Sequence, residues 1–546
     1  MRIALAQYNP TVGDIDGNTA RMAELIDSAA AEGAALVVFP ELSVMGYPPR
    51  DLLRKERFLQ DADKAVRRLA KHCTKTAAVV GTARANPSTG GRALQNTAVV
   101  LADGRVAGVH VKRLLPTYDV FDETRYFQPG DEPTVFELAG RRLGLSVCED
   151  LWDADALGRE LYGADPVGEL ARSGAEILIN PAASPYQQHK AGLREQLFAR
   201  QAKRTGTAIV YVNQVGGNDE LVFDGGSCVV SPTGEVKARA ASFREDLLVV
   251  DMETGKGRIE PIADEIRRLA DALKLGLRDY VRKCGFSSVV LGLSGGIDSA
   301  VTAVLAADAL GAENVQALAL PSRYSSDHSV ADAAELAANT GIGYREISIE
   351  SAHAACEGML ADALAQAPEA ELADENIQAR LRGLTVMAMS NAWGHLALAT
   401  GNKSELSCGY CTLYGDMAGG LAPIGDVLKT QVYELAELLN ADGERIPRRT
   451  ITKPPSAELR PGQLDQDKLP PYDILDGILS RYIERDWTAE RIIADGFDPQ
   501  VVRKVVRMVD GAEHKRRQAA PVLKVTGRAF GSGRRMPIAQ RYRTDA

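Results

Sequence analysis

Short apolar runs separated by amphipathic stretches organise the first half of the chain. Met1–Gln7 reads as a strand stopped at Asn9-Pro10, and Ala35–Phe39, Ala77–Gly81, Thr97–Leu101, Leu143–Val147 and Ile177–Ile179 read as further strands. Helical spacing fills some of the gaps, as at Thr19–Glu32 and Leu193–Arg204. This alternation predicts an α/β sandwich over residues 1–250, a layered sheet covered by helices. Residues 251–262 are polar and carry Gly255, Gly257 and Pro261, the composition of a linker.

A different rhythm starts near residue 263. Val289–Leu293 reads as a strand, Ser294–Ser299 as a glycine turn, and Ala300–Leu305 as the opening of an amphipathic helix. A strand at Val315–Leu320, a helix at Ser329–Asn339 and a strand near Glu346–Ile349 follow. This β-α-β-α-β order predicts a doubly wound parallel sheet over residues 263–546, with ligands at the carboxyl ends of its strands. The Ala-rich stretch 352–373 reads as surface helix.

Strand, glycine turn and helix together aim free backbone N–H groups and a helix dipole at phosphate. The segment Gly292-Leu293-Ser294-Gly295-Gly296-Ile297-Asp298-Ser299 lacks the Gly-Lys-Ser/Thr of a Walker loop. An aspartate and hydroxyls stand in place of the Walker lysine. Such a loop suits a pyrophosphate that leaves as one unit, with Asp298 able to hold Mg²⁺, and so cleavage of ATP between its α- and β-phosphates.

A chain of 546 residues exceeds a single core, so two or more domains are expected. Its 45% hydrophobic and 25% charged residues are ordinary for a globular protein. The net charge of −9 argues against a general nucleic-acid binder. No run is long enough to span a membrane, and the N-terminus has neither the apolar length nor the cleavage site of a signal peptide. Seven scattered cysteines without a disulfide rhythm fit a reducing cytoplasm. Cys408 and Cys411 form one CxxC with no second pair or nearby His, weak grounds for zinc or redox chemistry. Nine Lys/Arg and one acid lie between His514 and Ala546. That tail fits a disordered arm or a nucleic-acid contact, and its Pro521, Val522, Leu523 and Val525 fit equally an ordered segment binding a small anion.

Glu41, Lys112 and Cys148 each stand just past a strand. Singly, the cysteine is an ordinary small core residue and the charged pair ordinary surface residues. Together they fit thiol-based amide hydrolysis: Glu41 takes the thiol proton, Cys148 attacks the amide carbon, and Lys112 stabilises oxyanion and thiolate. The words Phe39-Pro40-Glu41-Leu42, Lys112-Arg113-Leu114-Leu115-Pro116 and Val147-Cys148-Glu149-Asp150 resemble the nitrilase (carbon–nitrogen hydrolase) superfamily, whose Glu-Lys-Cys triad has this chain order. The resemblance implies a nitrilase-like α/β/β/α sandwich.

A nitrilase-like amidase joined to an SGGxDS loop resembles the glutamine-dependent NAD synthetase family over essentially the whole chain. Pro321–Ser326, Glu375–Arg380, Ala399–Glu405, Tyr414–Met417 and Glu513–Arg516 add to the likeness. The resemblance implies a Rossmann-like ATP-pyrophosphatase domain and the conversion of deamido-NAD⁺ to NAD⁺. The nicotinate carboxylate would be adenylated by ATP and then displaced by ammonia from glutamine, releasing AMP, pyrophosphate and glutamate. It also implies that Gly292–Ser299, Thr400 and Lys429 contact ATP and that Asp298 and Glu405 carry Mg²⁺. Asn376, Glu405, His514 and Lys515 would border the deamido-NAD site; Tyr118, Ser184 and Lys190, with Glu149, would hold glutamine. The contact of Lys190 stays open, because arginine replaces it in some relatives, and Ser456 is either a phosphate contact or a local turn hydroxyl. A shielded ammonia passage and a homo-oligomer complete what the family implies.

Other SGGxDS adenylating enzymes are the rivals. Asparagine synthetase needs Cys at position 2, where Arg2 stands, and the cysteine of the GMP synthetase glutaminase lies between glycines, absent around Cys148. A tRNA-modifying enzyme calls for a broad basic face, against the overall charge. A non-catalytic nucleotide-binding protein on an inherited fold is the remaining class, distinguished by a lack of pyrophosphate release.

Overall fold

The computed structural model describes residues 1–542, which form two compact units, Met1–Ala263 and the residues from Asp264 onward. Arg543, the last arginine of the basic tail, lies outside the described residues.

The first unit is built on two six-stranded sheets and a two-stranded ribbon. One sheet runs Asp246–Asp251, Arg2–Gln7, Leu36–Val38, Ala77–Ala85, Leu94–Ala102, Arg105–Val111 in spatial order. The other runs Val236–Arg239, Cys228–Val230, Ala208–Asn213, Ile177–Ala182, Arg141–Leu145, Thr134–Leu138. Successive side chains of a strand face opposite ways. Ile3, Leu5, Leu36, Val38, Val79 and Val100 therefore join the core shared with the second sheet. Ala4, Ala6, Val37, Ala78, Val80 and Val99 instead pack beneath helices Ile15–Ala31 and Glu56–Ala70. Helices Pro166–Arg172 and Lys190–Thr205 cover the outer face of the second sheet through Val167, Leu170, Leu197 and Phe198. The result is an α/β/β/α sandwich, and burial on both faces is why its strands read as continuous apolar runs. The segment 251–262 is tied to this unit by bridges Asp251↔Lys256 and Arg239↔Ile259.

The second unit contains a four-stranded parallel sheet in the order Gly343–Glu346, Val315–Ala319, Val289–Gly292, Leu396–Leu398. Its first strand in sequence is interior, with later strands added on either side. Ligands bind at such a switch point, and Ser294–Ser299 leaves the carboxyl end of this strand. Helices Tyr472–Leu479, Ala489–Ala494 and Pro499–Gly511 form a separate apolar cluster around Leu475, Ile478, Val502 and Val506. No helix among the described residues is long and apolar enough to cross a membrane.

Three of the boundaries that differ from expectation have a clear local cause. The helix expected from Thr19 begins at Ile15, where Asp14 accepts from the Gly17 N–H at 2.9 Å. The strand expected at Glu346–Ile349 lies at Gly343–Glu346; beyond it the neighbouring strand ends and turns at Pro321, leaving Ile349 to donate to the Pro321 carbonyl. The stretch 352–373 divides into helices Glu350–Leu364 and Ala370–Trp393, with Pro368 in the break.

The basic tail is anchored. Asp426 accepts from the N–H groups of Val525 and Thr526, each at 2.8 Å. Buried Lys403 reaches the Thr526 hydroxyl at 2.7 Å and Glu484 at 2.8 Å. Arg534 is buried and lies 5.7 Å from the Tyr482 ring centroid.

Candidate active sites

The first unit brings Glu41, Lys112 and Cys148 into one buried cluster. Glu41 sits in the turn after Leu36–Val38, Lys112 directly after Arg105–Val111, and Cys148 opens a short helical turn with φ +45°. Lys112 Nζ lies 2.7 Å from Glu41 Oε1 and 2.8 Å from Glu123 Oε1. Asn96 donates to Glu41 Oε1 at 2.7 Å, and the Ala183 N–H donates to its other oxygen at 3.2 Å.

Electrostatics follow from this enclosure. Burial opposes the charge of Lys112, but Glu123 and Glu41 outweigh it and hold its pKa well above the ordinary lysine value. Burial pushes the Cys148 thiol up, Glu41 adds to that, and Lys112 pulls it back. Burial also raises Glu123, to about 7, against the pull of Lys112 and with Glu41 adding its charge. The thiol is held as SH until a base and a cation act on it, the state a Glu–Lys–Cys relay starts from.

Asp150 fixes the two loops that carry lysine and cysteine. One oxygen accepts from the N–H groups of Arg113 (3.0 Å) and Leu114 (2.8 Å), the other from Val147 (2.8 Å). Glu149 points the other way along the turn: its Oε1 accepts from the Tyr118 hydroxyl at 2.8 Å and from the Tyr162 hydroxyl at 3.0 Å. Ser184 is buried and its backbone exchanges hydrogen bonds with the Asn213 side chain at 2.8 and 3.2 Å. Lys190 donates to the Pro185 carbonyl at 3.2 Å and lies 5.4 Å from the Trp152 ring centroid.

In the second unit the phosphate loop is internally braced. Ser294 Oγ lies 3.2 Å from Ser299 Oγ and accepts from the Gly296 N–H at 3.2 Å. Gly295 has φ +75°, and a Cβ there would come within 2.2 Å of the Ser329 carbonyl oxygen. Only glycine lets the loop pass this close to helix Asp327–Thr340.

Asp298, in the first turn of helix Ile297–Leu310, accepts from Asn402 Nδ2 at 2.9 Å and pairs with Lys429. Lys429 Nζ also lies 3.3 Å from Glu405 Oε1. Burial pushes Glu405 up, to about 8, Lys429 opposing and Asp298 and Asp465 adding. Asp298 and Glu405 thus share one lysine, with Asp465 acting on it through its charge, and the first two are the hard oxygen donors that a divalent cation such as Mg²⁺ would use. Thr400 follows strand Leu396–Leu398, beside the switch point.

Asn376 and Lys515 meet the same loop: Asn376 accepts from the Thr412 hydroxyl at 2.7 Å, and Lys515 donates to the Gly409 and Cys411 carbonyls at 2.7 and 2.8 Å. That loop directly follows helix Lys403–Cys408, which bears Glu405. His514 is exposed, with Nδ1 3.1 Å from the Gly511 carbonyl. Ser456 donates to the Gln463 carbonyl and accepts from the Glu458 N–H, local turn chemistry. Cys408 and Cys411 form no disulfide and belong to no group of three or more possible metal ligands among the described residues.

Sequence reasoning missed Glu123, Asn96, Asp150, Tyr162 and Asn402. The last was readable, because Asn402 three residues before Glu405 is a helix-start signal, and Asn402 Oδ1 accepts from the Glu405 N–H at 3.0 Å. Asp150 also bonds locally, to the Val147 N–H, while Glu123, Asn96 and Tyr162 are joined to the centre only by tertiary contact.

Two family models match the chain, one described as carbon-nitrogen hydrolase over residues 2–258 and one described as NAD synthase over residues 269–519. A curated protein from Synechocystis sp. named glutamine-dependent NAD(+) synthetase is 47% identical over 552 residues, covering 99% of both chains. One of the same name from Acinetobacter baylyi is 45% identical and covers 100% of this chain and 99% of its own. The solved glutamine-dependent NAD+ synthetase of Acinetobacter baumannii, in complex with ADP, aligns with a TM-score of 0.78 at 42% identity over 98% of both chains. That of Cytophaga hutchinsonii shares the fold, with a TM-score of 0.83 at 22% identity over 99% of this chain and 98% of its own. The chain belongs to the glutamine-dependent NAD(+) synthetases.

Proposed function

We propose that this chain amidates deamido-NAD⁺ to NAD⁺, driven by ATP, with glutamine as the nitrogen donor. Family membership supports the overall reaction. The observation that carries it in this chain is the presence of both halves of the chemistry, a buried Glu41–Lys112–Cys148 cluster and a phosphate loop whose Asp298 shares Lys429 with Glu405.

In the first unit, Glu41 takes the Cys148 proton and the thiolate attacks the amide carbon of glutamine. Lys112 stabilises the oxyanion, and the proton returns to the leaving nitrogen as ammonia departs. Water then hydrolyses the γ-glutamyl thioester to glutamate and the free thiol. Glu149 receives the α-ammonium, with Tyr118, Ser184 and Lys190 around the rest of the amino acid.

In the second unit, a nicotinate carboxylate oxygen attacks the α-phosphorus of ATP, expelling pyrophosphate and leaving an acyl-adenylate. Ammonia attacks the acyl carbon and AMP leaves. The 292–299 backbone and Lys429 hold the phosphates, Thr400 contacts the nucleotide, and Asn376, Glu405, His514 and Lys515 border the dinucleotide. Asp298 and Glu405 would hold Mg²⁺, whose chemistry here is neutralisation of polyphosphate charge. The same reading places a homo-oligomer in the cytoplasm, the latter supported by seven cysteines that form no disulfide among the described residues.

The test supplies deamido-NAD⁺, ATP and Mg²⁺ with glutamine or ammonium and measures NAD⁺ and AMP. Cys148→Ala is expected to abolish glutamine-driven synthesis and to keep ammonium-driven synthesis; equal loss with both donors would defeat the division of labour. An added ammonia-consuming enzyme reads channelling separately: efficient capture of the nitrogen during glutamine turnover would exclude a shielded passage.

A further inference from the structure

Tyr162 lies in a stretch with no recognisable motif, between helices Ala154–Leu157 and Pro166–Arg172. Yet its hydroxyl ends 3.0 Å from Glu149 Oε1, the carboxylate next to the nucleophile. The Tyr118 hydroxyl reaches the same oxygen at 2.8 Å from a different part of the chain. Among the described residues, both hydroxyl donors to Glu149 fall on Oε1 rather than one on each oxygen.

The segment bearing Tyr162 is pinned at both ends by one helix. Arg200 of helix Lys190–Thr205 donates to Asp153 at 2.8 Å, before the segment. Arg204, one turn later, makes a bidentate pair with Asp165 at 2.7 and 2.8 Å, after it. The same two acids cap the short helices at either end, Asp153 accepting from the Ala156 N–H at 2.9 Å and Asp165 from the Gly168 N–H at 3.0 Å. A strap held at both ends presents its tyrosine at a defined place.

We propose that Tyr162 sets the selectivity of the amide site: with Tyr118 it commits Oε1 of Glu149 and thereby orients Oε2 toward the α-ammonium of the substrate. This rests on the reading of the Cys148 centre as a glutaminase. Tyr162 acts through Glu149 and is a positioning residue, not one that touches the scissile amide. A carboxylate with one oxygen fixed by two donors loses its rotational freedom before substrate arrives, so less ordering cost is left for the binding step. Burial raises the Glu149 pKa, and the hydrogen bond from Tyr118, the Lys112 charge, the hydrogen bond from Tyr162 and the Lys190 charge pull it back toward the ionised form that an ammonium needs. Burial and the Glu149 charge hold the Tyr162 hydroxyl protonated, so it remains a donor.

The test compares glutamine with glutaramate, the same amide lacking the α-amino group, in the full-length enzyme. Tyr162→Phe keeps the ring and removes the hydroxyl. The expected result is a rise of roughly tenfold in KM for glutamine with little change in kcat, the size of one lost hydrogen bond to a charged group. Hydrolysis of glutaramate, ammonium-driven NAD⁺ formation and alkylation of Cys148 should stay at wild-type rates. Tyr118→Phe, on an independent segment, should shift the glutamine-to-glutaramate ratio in the same direction. An equal loss on both amides, or an unchanged ratio in Tyr162→Phe, would overturn the proposal while leaving the glutaminase reading intact. Wild-type enzyme that hydrolyses neither amide would overturn the glutaminase reading itself.

Discussion

Each unit buries a lysine between carboxylates, and the two differ in how far the acids are sealed. Lys112, Glu41 and Glu123 have side chains 0%, 1% and 5% exposed, whereas Lys429 is 2% exposed between Asp298 and Glu405 at 18% each. A nucleophile that attacks a small amide gains from a closed, fixed constellation. A centre that must admit a tetra-anionic nucleotide and its counter-ion has to leave acids within reach of solvent. The same ionic motif is thus used once as a fixed relay and once as a charge reservoir awaiting ligands.

The sharpest way to break this comparison is to remove each lysine. Lys112→Met should lower glutamine-driven synthesis on the order of 10³-fold and spare ammonium-driven synthesis, whereas Lys429→Met should lower both, on the order of 10²-fold or more. Steady-state NAD⁺ formation with each nitrogen donor reads both outcomes; a Lys112→Met enzyme that also loses ammonium-driven synthesis would erase the distinction. Chelation with EDTA follows, expected to stop NAD⁺ and AMP formation while glutamate release continues, as measured by separate product assays.

Asn402→Ala tests whether the second centre is held as firmly as the first. It removes both a helix cap and a donor to Asp298. A loss of about 1 kcal/mol in stability is expected from the cap, with a several-fold rise in the Mg²⁺ concentration needed for half-maximal synthesis.

The smallest effect concerns pH. Glu123 has its pKa raised from 4.5 to about 7 in the folded chain, so between those values the native state keeps a proton that the unfolded chain has released. Its stabilising contribution is full below about pH 4.5 and is lost as pH rises through 7. Glu123→Gln should flatten that fall in the thermal midpoint across the window; an unchanged slope would show that Glu123 does not hold the proton.

The sequence made the frame and the main chemistry legible for definite reasons. Glu41, Lys112 and Cys148 stand at strand ends, where an apolar run stops and a reactive side chain begins, and the phosphate loop announces itself by its glycines. Glu123 could not be read this way. It lies on a short turn of Glu123–Arg125 with no periodicity, and its meaning arises only when folding places it 2.8 Å from Lys112. Tyr162 is hidden likewise, because a tyrosine in a polar stretch carries no sign of the carboxylate it will meet. The misplaced strand at Glu346–Ile349 shows the opposite error: alternating Ile347 and Ile349 mimic a strand, but its partner has ended.

The three backbone N–H groups gathered by Asp150 have a consequence for how the first centre can be observed. Arg113 and Leu114 lie next to the lysine and Val147 next to the cysteine, and one carboxylate binds all three. Their amide hydrogens can exchange with solvent only when that carboxylate lets go, which separates the lysine loop from the cysteine loop. The exchange rate of this trio is therefore a built-in gauge of how often the assembled relay comes apart, readable in the resting enzyme without any substrate.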